Sequence, residues 1–217
     1  KYLELLSEAC REYNIHLIAD EIAVGFGRTG TMFGFQQAKI TPDIICLSKG
    51  ITGGYMTLST ILTTDDIYDA FYDEYEKLNA FLHSHSYTAN PIACSAANAT
   101  LDIFKDKDVI KKNKILSAHI RKCFESLKDH PHVSDVRQKG MVLAIELIKD
   151  KKRKVSYDWK ERRGIRAYLH GLKNNVLMRP LGNVLYFMPP YVITKKEISF
   201  VSEIMKEGVD EATKKNS

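Results

Sequence analysis

An acid and an amine each stand at the end of a short apolar run. Asp20-Glu21 closes HLIAD (16–20), and Ser48-Lys49-Gly50 follows DIICL (43–47). A carboxylate at the C-terminal end of a central parallel strand lies where open α/β sheets bind their ligands. The other reading of Asp20 is a strand-end acid satisfied by loop amides. A lysine hard against a buried apolar strand is costly unless it is paired or chemically used; otherwise it snorkels to the surface. Taken together the two suggest a chemistry. At neighbouring strand ends they would converge on one small volume. A pyridoxal phosphate enzyme needs that pair, a lysine for the Schiff base and a carboxylate to keep the pyridine nitrogen protonated.

Three further groups carry chemical potential. Gly25-Phe26-Gly27-Arg28-Thr29-Gly30 matches G-x-G-x-x-G after a strand. A dinucleotide fingerprint also needs a helix opening at the glycines and an acid about 20 residues on. Here TMFGF follows and Asp43 comes too early, so a tight loop using positive φ is the better reading. His83-Ser84-His85-Ser86-Tyr87-Thr88-Ala89-Asn90-Pro91 holds two histidines but no partner ligand at metal spacing. A hydroxyl-rich loop running into a proline-started helix suits phosphate instead. Arg179, before Pro180, ends an apolar strand; it either grips a carboxylate bidentately or forms a structural ion pair.

The surrounding pattern supplies the scaffold. Residues 2–13 place Leu3, Leu5, Leu6, Ala9 and Cys10 mostly on one helical face. HLIAD, DIICL and LSTIL (58–62) suit strands buried on both faces of a parallel sheet. Thr64 can cap a helix through Asp65 and Asp66, and Pro91 opens another. A long helix (108–129), a strand (141–147), a helix (160–174) and two short strands (176–180 and 184–188) follow. Thr194 and Glu197 then form a capping box that starts a final helix reaching about residue 213. The first half reads as α/β and the second as α+β.

Charge divides the chain at the same place. Of 217 residues, 32 are Lys or Arg and 27 Asp or Glu, a net +5. Residues 1–104 carry net −7 and residues 105–217 net +12, so a domain boundary is expected near Lys105. The basic half interleaves its cations with acids and lacks stacking aromatics, which argues against nucleic acid. No apolar run approaches the roughly 20 residues of a membrane span. Four cysteines without a C-x-x-C pair fit a reducing, cytoplasmic setting. The opening KYLELLSEACREYN reads as mid-protein helix, hence as part of a longer chain.

Residues 17–64, LIADEIAVGFGRTGTMFGFQQAKITPDIICLSKGITGGYMTLSTILTT, resemble the class III (fold-type I) pyridoxal phosphate aminotransferases. The likeness extends over HSHSYTANPIAC (83–94) and VLMRPLGNVLYFMPPY (176–191). It implies part of a mainly parallel large-domain sheet over 1–104 and a smaller α+β domain over 105–217. It also implies a homodimer with shared sites and pyridoxal 5'-phosphate as cofactor. Within the family the chain is most similar to members that aminate 8-amino-7-oxononanoate with S-adenosylmethionine in biotin biosynthesis. Ala23, where many relatives have glutamine, GGYMTLSTILTT and RPLGNVLYFMPPY carry that likeness.

Carried onto this chain, the resemblance makes Lys49 the Schiff-base lysine and Asp20 the partner of the pyridine nitrogen. Ser86 binds phosphate with His85 beside it, reaching into the neighbouring subunit's site. Ser84 lies near substrate, Arg179 takes a carboxylate, and Arg28 organises the site and contacts substrate. Some of these members have Gly-Pro-Thr where this chain has Ser84-His85-Ser86, a departure on the donor side. The family's N-terminal half, with its phosphate loop and ring-stacking aromatic, lies outside these residues, so this stretch alone is expected to be inactive. The alternatives are a class III enzyme for ω-amino acids or diamines and a non-catalytic binding module.

Overall fold

Short apolar runs become short strands, and their order decides which residues meet. β1 (Ile18–Asp20), β2 (Ile44–Leu47) and β3 (Thr60–Thr63) form a sheet in that order. β1 and β2 are parallel, with Ala19 opposite Ile45 and Asp20 opposite Cys46. β3 runs antiparallel to β2. The computed structural model describes residues 1–214 and divides into two units, Lys1–Ile110 and a second beginning at Lys111.

In the first unit, α1 (Tyr2–Glu12) and α2 (Asp65–Asp69) flank the sheet in sequence. Thr64 stands at the N-cap of α2 without a side-chain cap bond. α3 (Pro91–Asp106) is better capped: Asn90 Oδ1 accepts from Ile92 N–H at 3.0 Å and Ala93 N–H at 3.1 Å. Its Ala97 joins Phe26, Leu47 and Ile51 in a small core, with Phe33, Ile45 and Phe104 packed against it. One expectation needs correcting: the strands are not buried on both faces, since Ile18 is 59% and Ile61 64% exposed. Three strands of three or four residues cannot cover their own faces within this unit.

The second unit is an antiparallel sheet in the order β4-β5-β7-β6. Its strands are β4 (Val133–Lys139), β5 (Val142–Leu147), β6 (Arg179–Leu181) and β7 (Val184–Phe187). β5 shows the alternation of a half-buried strand, Leu143, Ile145 and Leu147 being almost fully buried. Helices α4 (Val109–Phe124), α5 (Arg163–Lys173) and α6 (Lys195–Thr213) contribute Ile120, Phe124, Ala167, Ile198, Met205 and Val209 to the same core. α6 opens with the expected capping box: Glu197 N–H donates to Thr194 Oγ1 at 3.2 Å, and Thr194 N–H to Glu197 Oε2 at 2.7 Å. The expected helix over 108–129 is α until Phe124 and then tightens to a 3₁₀ turn, Glu125–Asp129. Of VLMRP, only Arg179 and Pro180 enter a strand. β4 went unread because a bulge between Val133 and Asp135 breaks its period of two.

Two features seat the hairpin that carries Arg179. A Cβ on Gly164, in the first turn of α5, would stand 2.6 Å from Pro180 Cβ and against the Gly182 carbonyl, so only glycine lets that helix approach. Arg163, 5% exposed, binds the start of α5 to the end of α6. Its Nη1 donates to Ala212 O at 3.0 Å, its Nε to Glu161 Oε2 at 2.9 Å, and its guanidinium carbon lies 4.6 Å from the Tyr157 ring centre.

The hydrogen bond from Arg163, backed by its charge, holds the Glu161 carboxyl below the ordinary carboxylate range. A carboxyl lowered in the fold stabilises the protein at neutral pH and loses that contribution as pH falls through its folded value. Glu161→Gln is therefore expected to cost about 1 kcal/mol at pH 7, a modest figure because the carboxylate stays partly in water. Chemical denaturation at a series of pH values checks this. The difference between variant and wild type should shrink below pH 4.5, the ordinary value; a difference constant down to about pH 3 contradicts it.

Candidate active site

The parallel register of β1 and β2 brings the acid and the amine to one sheet edge. Asp20 is the last residue of β1, opposite Cys46, and Lys49 follows the end of β2 by two residues. Three residues of chain and one strand spacing separate them, so their Cα atoms lie at most about 16 Å apart. Both side chains are exposed. Asp20 Oδ1 accepts from Ile22 N–H at 3.0 Å, which fixes the carboxylate's orientation. Among the described residues no ion pair engages Asp20 or Lys49.

The turn around Lys49 is built closely. Lys49–Thr52 is a 3₁₀ turn in which Lys49 has φ +47°, the left-handed region that non-glycine residues seldom adopt. Ser48 Oγ donates to Leu58 O at 2.7 Å, and Thr52 Oγ1, on a residue 1% exposed, donates to Met56 O at 2.6 Å. A Cβ on Gly50 would lie 2.9 Å from Phe26 Cβ, so Phe26 packs straight onto the backbone after Lys49. Phe26 is itself left-handed, φ +54°.

GFGRTG winds through consecutive turns from Ile22 to Thr29 and opens no helix. Gly27 (φ +86°) and Gly30 (φ +107°) supply the positive φ angles. Gln37 Nε2 ties the loop by donating to Thr29 O and Thr29 Oγ1, both at 3.0 Å, and to Thr31 Oγ1 at 3.1 Å. The half-buried Arg28 is anchored here through its amide, which donates to Gly25 O at 3.5 Å.

Sequence reasoning missed what Glu21 does. Successive strand residues face opposite ways, and beside the exposed Asp20 Glu21 is 3% exposed. Its carboxylate accepts from Gly34 N–H and Phe35 N–H, both at 2.8 Å. Alternation alone could have separated the two acids, but the partners stand 13 and 14 residues away and leave no local signal.

The other expected residues stand on other elements. Ser84, His85 and Ser86 lie in an exposed segment whose bonds are local: His85 N–H donates to Thr88 Oγ1, and Tyr87 N–H to His85 Nδ1, each at 3.1 Å. Arg179 opens β6 in the second unit, exposed and opposite Tyr186. No ion pair engages it among the described residues, so the structural-pair reading finds no partner there.

A family model described as aminotransferase class-III matches residues 1–209. The chain belongs to the class-III aminotransferases. It is 47% identical over 218 residues to the adenosylmethionine-8-amino-7-oxononanoate aminotransferase of Helicobacter pylori, covering 99% of this chain and 48% of that relative. The enzyme of that name from Methanocaldococcus jannaschii is 42% identical over 219 residues, covering 97% and 47%. A crystal structure of the M. jannaschii enzyme superposes with a TM-score of 0.91 at 41% identity, covering 97% of this chain and 49% of that one. The omega transaminase from Pseudomonas jessenii in complex with PMP superposes with a TM-score of 0.92 at 29% identity, covering 98% and 47%. The chain spans about half the length of the curated relatives it matches.

Class-III aminotransferases depend on pyridoxal phosphate, and the donor set of this class-III chain fits that cofactor. One primary amine and one carboxylate, neither ion-paired among the described residues, share a sheet edge. An aldehyde on a pyridine ring asks for those two groups. The fit depends on the backbone under Lys49. Gly50→Ala in the full-length protein should force Phe26 or the Lys49 turn to move and cost about 1–3 kcal/mol of stability. Thermal unfolding measures it; an unchanged midpoint would show that Phe26 yields freely.

Proposed function

We propose that the full-length protein transaminates 8-amino-7-oxononanoate to 7,8-diaminononanoate with S-adenosylmethionine as amino donor, in a ping-pong sequence. The observation that carries the chemistry is the Asp20–Lys49 pair at adjacent parallel strand ends. The substrates follow from the names of relatives 42% and 47% identical to the chain. Fold alone does not discriminate, since an omega transaminase superposes as well as the M. jannaschii enzyme. Sequence similarity supports the reading from the M. jannaschii enzyme, 41% identity against 29%.

Pyridoxal 5'-phosphate, when bound, supplies an aldehyde for amines and a protonated ring that withdraws electrons from the substrate's Cα. Lys49 is the residue whose amine would hold the cofactor. Its Nζ is also the base that would take the proton from the donor's Cα, work of a kind worth about 10²–10⁴-fold. Asp20, its Oδ1 held by Ile22 N–H, presents a fixed carboxylate that keeps a proton on the pyridine nitrogen. Arg179 binds the carboxylate that both substrates carry, its planar fork suiting bidentate contact. Arg28, on its tightly turned loop, organises the substrate side.

Ser84, His85 and Ser86 serve the neighbouring subunit's site across a homodimer interface, Ser86 on the phosphate, His85 beside it and Ser84 near substrate. Their exposure and purely local bonding support this. The test is to load the full-length protein with cofactor, add S-adenosylmethionine and follow the visible spectrum. After removal of donor, 8-amino-7-oxononanoate is added. Loss of the visible band, then its return with diamine formed, is the expected result. A band that ignores S-adenosylmethionine but responds to an ω-amino acid or diamine would replace this reading. Arg179→Ala should raise KM at least tenfold for a carboxylate substrate; unchanged KM values for both remove its role.

A further inference from the structure

Glu21 spends a buried carboxylate on two loop amides one residue from Asp20. Gly34 and Phe35 donate to its two oxygens at 2.8 Å each. A Cβ on Gly34 would lie 3.3 Å from Oε1, and one on Gly25 would lie 2.8 Å from the Glu21 carbonyl oxygen, so the loop is wound tightly on this residue. The anchored stretch carries Phe33, whose ring meets the Phe26 ring edge-on at 5.7 Å, and Phe35, which stacks on Phe33 at 5.8 Å. Phe26 in turn covers Gly50 and lies 6.2 Å from the Phe104 ring of α3. The chain of contacts ends at Lys49, held at φ +47°. A left-handed lysine persists only where its surroundings over-determine it.

We infer that Glu21 is a positioning residue for Lys49, acting through the Gly34 and Phe35 amides, Phe33, Phe26 and Gly50. This rests on the proposed function in taking Lys49 as the cofactor lysine. A carboxylate suits the task because it only accepts, and both partners are N–H donors. A glutamine can satisfy one amide but presents its own N–H₂ to the other. With that hold weakened, Phe33 and Phe26 loosen and the turn under Lys49 gains freedom. Such misplacement of a reacting group costs about tenfold to a hundredfold in rate.

The experiment compares Glu21→Gln, Phe26→Leu and Lys49→Ala with wild type, all as full-length protein loaded with pyridoxal phosphate. The readouts are the pH titration of the cofactor's visible band, kcat, KM and the melting temperature. For Glu21→Gln the titration midpoint should move by at least about half a pH unit. Its kcat should fall about tenfold or more while KM stays within about threefold. Phe26→Leu, which keeps Glu21 but thins the contact on Gly50, should also shift the midpoint by at least about half a pH unit; should Glu21→Gln not fold, a wild-type midpoint in Phe26→Leu overturns the inference. Lys49→Ala should have no visible band. A folded Glu21→Gln with the wild-type midpoint and kcat overturns the inference and leaves the proposed function standing. A visible band retained in Lys49→Ala overturns both.

Discussion

Parallel pairing of two very short strands is the constraint on which everything else depends. Because Asp20 is registered against Cys46, the C-terminal ends of β1 and β2 open on the same edge, and Asp20 and Lys49 share it. Had the two run antiparallel, the end of one strand would have faced the start of the other and the groups would have parted. Parallel neighbours need a long connection, and here it is the segment from Glu21 to Asp43. That segment is not idle chain. It returns the glycine loop to the sheet, anchors it on Glu21 and lays Phe26 over the backbone next to Lys49.

The second unit rests on a different balance. Its antiparallel sheet and three helices make one well-filled core, with Ile145, Leu185, Ile198 and Met205 almost inaccessible. Arg163 places a charge inside that unit, and its cost is met by Glu161, the Ala212 carbonyl and the Tyr157 ring. On this support sits the hairpin bearing Arg179, pressed against Gly164. Arg179 stands exposed at the start of β6, opposite Tyr186.

Much of this was legible in the chain because the signals were local. Strand-end acids and amines, the proline that opens α3, and Thr194 with Glu197 each act over a few residues, and the structure shows those elements. The bulged β4 was hidden because one extra residue destroys the alternation by which strands are read. Burial of the first sheet was overestimated, since an apolar run announces a need for cover without saying which part of the chain provides it. Glu21 was seen as half of an Asp-Glu pair, yet its task depends on amides more than ten residues away. Ser84, His85 and Ser86 were legible through the family resemblance, and the bonds of their segment in the structure are local.

The central claim, that Lys49 holds the cofactor opposite Asp20, has a direct test. Full-length protein loaded with pyridoxal phosphate would be reduced with borohydride, digested and mapped by mass spectrometry. The account predicts the pyridoxyl label on the peptide containing Ser48-Lys49-Gly50 and on no other lysine. A label on a different lysine, or none on a protein that binds the cofactor, would contradict it.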